Sequence, residues 1–161
     1  MVVVSDTSPI TSLAAIAQLD LLRQLYQKVI IPQAVYDEMA SLSKAVPGTI
    51  EVQTSAWIET RQAENRVLVA RLQEELDIGE SEAIALAIEI KADRLLIDEA
   101  PGRTIAAQLE LKFTGVLGVL LAAKHKGIIS LVKPVMDDLI VRSSFRVSNQ
   151  VYMEILKIAG E

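Results

Sequence analysis

Cysteine is absent from the 161 residues, and histidine occurs once, at His125. The first absence excludes disulfides, thiol nucleophiles and cysteine-held zinc or iron–sulfur centres. The second leaves a histidine-rich metal site or a Ser-His-Asp triad with almost nothing to work with. No apolar run reaches the ~18 residues that a membrane span requires, and the start lacks a basic segment leading into a signal-type stretch, so a cytoplasmic location is expected. An excess of base is missing too. Sixteen Lys and Arg face 21 Asp and Glu, a net charge of −5 that argues against a surface coated in base for nucleic acid. A local basic groove beside an acidic metal centre stays compatible with that balance, because clustered carboxylates lower the net charge and bound cations reverse its sign at the contact.

What is present is apolar material and acid. With 51% hydrophobic residues and a mean hydropathy of +0.34, residues 1–161 have ample substance for one domain with a single core, and the surplus hints at a buried dimer or partner face. The run Val2 to Val4 reads as a buried strand ending on Asp6, with Thr7, Ser8 and Pro9 opening a helix. Lys28 to Ile31, Arg94 to Ile97 and Lys112 to Thr114 read as further strands, and Trp57-Ile58 as the start of another. Helical spacing marks Leu19 to Leu25, the stretch after Pro32, Ala63 to Leu76, Glu80 to Lys91, Arg103 to Leu111, Val116 to Lys126, Lys133 to Val141 and Asn149 to Ala159. Ser41 to Ile50, with Pro47 and Gly48, is the most loop-like segment. Short apolar strands alternating with helices predict an α/β three-layer α/β/α sandwich around a mainly parallel, Rossmann-like sheet of four to five strands.

In such sheets the functional crevice lies at the carboxyl ends of the strands. Asp6 and the Asp98-Glu99 pair end two strands there, Glu38 lies in the helix after the second strand, and Glu80 and Glu82 begin the helix that feeds the Asp98 strand. Helix starts and strand ends are expected at opposite edges of a simple βαβ unit, so Glu80 and Glu82 reach that crevice if their helix crosses the C-terminal edge. Each acid also has an ordinary structural reading. Asp6 caps a helix; Glu38 is a solvated helix residue; Glu80 and Glu82 offset a macrodipole; Asp98 and Glu99 are neutralised by Arg103. In conjunction the four groups form a ring of oxygen ligands for one or two hard cations, Mg²⁺ or Mn²⁺, of the kind that clamp a phosphodiester.

Weaker signals surround this set. Gly115-Val-Leu-Gly118 lacks the third glycine of a dinucleotide fingerprint and reads as close helix packing. His125 suits a helix C-terminus. Lys124, Lys126, Arg142 and Arg146 are candidates for phosphate contact or simply a solvated face. A haloacid-dehalogenase-type phosphohydrolase would need a second acid where Ser8 stands, and no lone phosphorylatable Asp marks a receiver domain.

In this order DTSP, PQAVYDEM, LDIGESEAIALA, LLIDEAPGR and TGVLGVLLAAK resemble the PIN-domain-like proteins over nearly the whole chain, in particular a prokaryotic branch related to the VapC toxins. The resemblance implies an α/β sandwich, Mg²⁺ or Mn²⁺ bound by three or four acids, hydrolysis of RNA without a covalent enzyme intermediate, a homodimer and a cognate antitoxin. Single-stranded DNA is a further candidate substrate. Carried over by residue, the ligands are Asp6, Glu38, Glu82 in preference to Glu80 with both retained, and Glu99 or Asp98. Ser8 and Arg103 take supporting positions around them. The alternative is a PIN-fold module that binds RNA or protein without turnover.

Overall fold

Alternate strand residues bury on opposite faces of one sheet, and this makes the protein three layers deep. The computed structural model describes residues 1–41 and 45–161. Its strands are β1 (Val3–Ser5), β2 (Val29–Pro32), β3 (Ile58–Arg61), β4 (Arg94–Leu96) and β5 (Phe113–Thr114), ordered β3-β2-β1-β4-β5 with every neighbouring pair parallel. Val3, Val29, Ile31 and Leu96 enter one core, while Val4, Ile30, Leu95 and Ile97 enter the other. The strands are short and β-branched or leucine-rich, as strands covered on both faces must be.

The helices are α1 (Thr7–Ala15), α2 (Asp20–Tyr26), α3 (Gln33–Ala40), α4 (Thr49–Thr54), α5 (Arg66–Leu72), α6 (Ile78–Glu89), α7 (Ala100–Gln108), α8 (Val116–His125), α9 (Val132–Arg142) and α10 (Asn149–Ala159). Right-handed crossovers assign them to faces. The chain steps outward from β1 to β2 and β3 with α1 to α4 on the first core, then returns past β1 to β4 and β5, which puts α5, α6 and α7 on the second. The direction reverses between β1 and β4, where Asp6 N–H donates to Leu96 O at 2.9 Å. That is the topological switch point, and a crevice opens beyond the carboxyl ends there.

Three local expectations change. The loop-like segment from Ser41 to Ile50 contains the start of α4, entered through Gly48 at φ +94°; residues 42–44 lie outside the described part. The helix expected over Ala63 to Leu76 is shorter, because the Asn65 side chain accepts from Leu68 N–H and fixes the start of α5, while the Glu89 carboxylate holds the Glu64 and Asn65 N–H groups outside it. Glu80 and Glu82 need no helix across the sheet edge. Helix α6 lies along β1, β2 and β4 and leads into the start of β4, so its own start stands at the carboxyl edge, as in any helix that returns antiparallel to its strands.

Candidate metal centre

Two buried acids form the floor of the crevice and three exposed ones its rim. Asp6, at the N-cap position of α1, is 3% exposed and its side chain makes no capping bond. Glu80, in the first turn of α6, is 4% exposed, and its Oε2 is buried with no hydrogen-bond partner. Around them stand Glu38, Asp77 and Glu99, all exposed. Gly79 marks where three of these carboxylates converge: a Cβ there would lie 3.4 Å from Glu38 Oε2 and 3.5 Å from both Asp6 Oδ1 and Asp77 Oδ1. Oxygens of Asp77, Glu80 and Glu99 fall within 4.8 Å of one another.

The first residues of α1 steer the rim. Thr7 Oγ1 donates to Glu38 Oε2 at 2.9 Å, and Ser8 Oγ donates to Glu99 Oε1 at 3.2 Å. Asp77 caps α6, its Oδ1 accepting from Glu80 N–H at 2.8 Å, which holds that helix start against the crevice.

Burial pushes the Asp6 carboxyl up to about 8; the Thr7 N–H works the other way, and Asp77, Glu80 and Glu99 add to the rise. Glu80 rises to about 7, first through burial and then through its acidic neighbours Asp77 and Glu99. Among the described residues no ion pair joins a cationic side chain to Asp6, Glu38, Asp77, Glu80 or Glu99. A floor of buried carboxylates with one oxygen unpartnered and no cation in reach is a donor set suited to a hard divalent ion.

The remaining expected acids face elsewhere. Glu82 is buried with both oxygens engaged: Oε1 accepts from Ala34 N–H at 2.9 Å at the start of α3, and Oε2 accepts from Arg66 Nη1 at 2.9 Å. Asp98 turns towards α8, where Oδ1 accepts from Val116 N–H at 3.0 Å. Burial raises its pKa, while that bond and the Arg103 guanidinium oppose the rise. Arg103 lies over the Phe113 ring at 5.1 Å. Of the adjacent pair it is therefore Glu99 that meets Asp6 and Glu80, and Asp98 that ties the end of β4 to the start of α8.

A family model described as a PIN domain matches residues 2–161. The chain belongs to the PIN-domain family. No curated protein matches it. A PIN domain is a nuclease fold that works with nucleic acid and divalent metal, and this one carries an acidic cluster at the carboxyl edge of its sheet. Two residues of this PIN-domain cluster escape sequence reasoning. Asp77 stands three before Glu80, the spacing of a helix cap and its partner, so its capping role hides its second position beside the crevice. Thr7 reads as helix entry, and its bond to Glu38 depends on α3 folding beside α1.

Proposed function

We propose that this PIN domain is a Mg²⁺- or Mn²⁺-dependent ribonuclease that hydrolyses phosphodiester bonds, with Asp6, Glu38, Glu80 and Glu99 as the metal-holding carboxylates and Asp77 at their rim. The observation that carries the reading is the buried, cation-free pair Asp6 and Glu80, the latter with an unpartnered oxygen. A divalent cation held there supplies Lewis acidity for water and charge for a phosphate. The chain's own residues do the rest. Asp6 and Glu80 form a floor fixed by β1 and α6, Thr7 and Ser8 orient Glu38 and Glu99 through their hydroxyls, and Asp77 holds the start of α6 in place. Glu82 fastens α3, the helix that carries Glu38, and Asp98 ties the chain beside Glu99 to the start of α8.

The role of toxin with a cognate antitoxin rests on the resemblance to VapC-related proteins. The homodimer rests also on exposed apolar side chains of the last two helices, Val141 at 80%, Met153 at 63% and Ile158 at 67%. One variant tests the chemistry. Asp6→Asn is expected to abolish Mn²⁺-dependent cleavage of RNA, and growth arrest on induced expression, while keeping the wild-type circular dichroism spectrum. Cleavage that persists in the folded variant removes Asp6 from the site.

A further inference from the structure

Two clefts open from the carboxylate crevice, and both have Glu38 in their wall. One, of ≈ 740 Å³, runs past Asp77 and Gly79 to Gln62 and Arg66; the other, of ≈ 450 Å³, runs past Thr7 and Ser8 to Arg142. Each contains one cationic side chain among the described residues, and each of those side chains is about half exposed, Arg66 at 50% and Arg142 at 53%. Arg66 is held in a set position: its Nη1 donates to Glu82 Oε2 at 2.9 Å and to Ala63 O at 3.2 Å. Glu82 is itself fixed by Ala34 N–H. With Nη1 carrying both bonds, Nε and Nη2 have no partner among the described residues, so three N–H donors of a planar fork remain for a ligand. Arg142 has one distant partner, Asp138 at 3.8 Å, one turn back on the same exposed helix face, which restrains it little.

The surroundings decide what that ligand is. The crevice between the clefts is acidic, so a carboxylate or a lone anion has no reason to settle beside it. A polyanion whose central charge sits on a cation at the acids, and whose flanking charges reach an arginine on either side, matches the whole arrangement. We propose that Arg66 and Arg142 bind the phosphates on either side of the scissile one, so that a single nucleic-acid strand lies across Glu38 from one cleft to the other. In this assignment Glu82 is a positioning residue for Arg66. The inference rests on the nuclease reading above, and it adds the course of the strand and the two residues that hold it.

The test measures binding of fluorescein-labelled oligouridine and oligothymidine by anisotropy across a salt series, with Ca²⁺ in place of Mn²⁺. It compares wild type, Arg66→Gln, Arg142→Gln and, as a charge control, Lys91→Gln, an exposed residue just past the end of α6. Glutamine at 66 can still donate to Glu82, so the fold is kept, and thermal melts verify it. Each arginine variant is expected to lower the slope of log K against log salt by about 0.7, the loss of one single-strand phosphate contact, and to weaken binding at low salt about fivefold, while Lys91→Gln matches wild type. A purely structural Arg66 would change the melting temperature and leave the salt slope alone. Equal losses with both oligomers point to the phosphodiester backbone, and losses confined to oligouridine point to RNA. A wild-type slope in either arginine variant overturns the proposal, as does a wild-type protein that binds neither oligomer. Mn²⁺-dependent cleavage is assayed in parallel: its absence while the slopes fall as expected removes the nuclease reading and leaves the strand path standing.

Discussion

Asp6 and Glu80 are held where their charges are poorly solvated and mutually repelled, so replacing either by its amide acts in two directions at once. Metal-free Asp6→Asn is expected to melt higher than wild type near pH 8, by an amount on the order of 1–2 kcal/mol, because a neutral side chain escapes both burial of charge and repulsion. A lower melting temperature in that variant would show that the Asp6 carboxylate is satisfied by the fold itself. Glu80 and Glu82 separate by partner. Glu80→Gln removes a carboxylate whose Oε2 has no bond to lose, so calorimetry is expected to show Mn²⁺ affinity down about tenfold or more, with little loss of stability. Glu82→Gln replaces an acceptor of two bonds, one from Arg66, and is expected to cost about 1–3 kcal/mol in denaturant while Mn²⁺ affinity moves far less. The opposite ranking would return the ligand role to Glu82.

At the scale of elements, the site depends on one helix that is buried on every side over most of its length. Every residue of α6 from Gly79 to Ala87 is buried, which is the pattern of a helix enclosed by neighbours and not of one lying on a surface. Two acids inside such a helix can persist only at its mouth, where Asp77 caps it and the crevice opens. Helix α7 then closes on Glu80 through Gly102: a Cβ at that position would come within 2.5 Å of Ile97 Cδ1 and 2.7 Å of Glu80 Oε2. Gly102→Ala is therefore expected to push α7 away from β4, costing about 1–3 kcal/mol by chemical denaturation and loosening Mn²⁺ binding along with it. Retained stability and affinity would mean that Ile97 and Glu80 can both yield. The elements themselves were largely legible from spacing: the apolar strands lie within about a residue of the segments expected for them. What spacing did not deliver was the length of α5, set by the Asn65 cap and by Glu89 reaching from another helix, and the presence of α4 behind Pro47-Gly48.

For the whole molecule the raised acids make stability depend on pH and on metal in opposite senses. Asp6 rises from 3.8 to about 8 and Glu80 from 4.5 to about 7, so the folded chain holds protons that the unfolded chain releases. Their contribution is complete below about pH 4 and is lost as pH climbs through 7 to 8, a change on the order of a few kcal/mol. In a chelator the melting temperature is thus expected to fall from pH 5 to pH 8. Saturating Mn²⁺ should flatten or reverse that slope, since the cation binds the ionised acids of the folded state alone. A melting temperature that rises with pH in the chelator would refute a floor whose two acids are raised by burial and by their acidic neighbours. Among the described residues no helix is long and apolar enough to cross a membrane, in line with the absence of long apolar runs.

The sequence alone determined the class of fold and narrowed the ligands open to any metal: alternating short strands and helices require a covered parallel sheet, and a chain with no cysteine and one histidine can offer a metal little except oxygen. It also put forward Asp6, Glu38 in the helix after the second strand, Glu80 and Glu82 with Glu82 preferred, and Asp98 or Glu99. Local sequence carries no information on which of two adjacent or alternate acids turns inward, since Asp98 and Glu99, like Glu80 and Glu82, have equal claims by spacing. Tertiary structure decided that, through partners distant in sequence. Val116 N–H draws Asp98 aside, Arg66 and Ala34 occupy Glu82, and the reversal of strand order between β1 and β4 brings the remaining acids to one crevice with nothing positive between them.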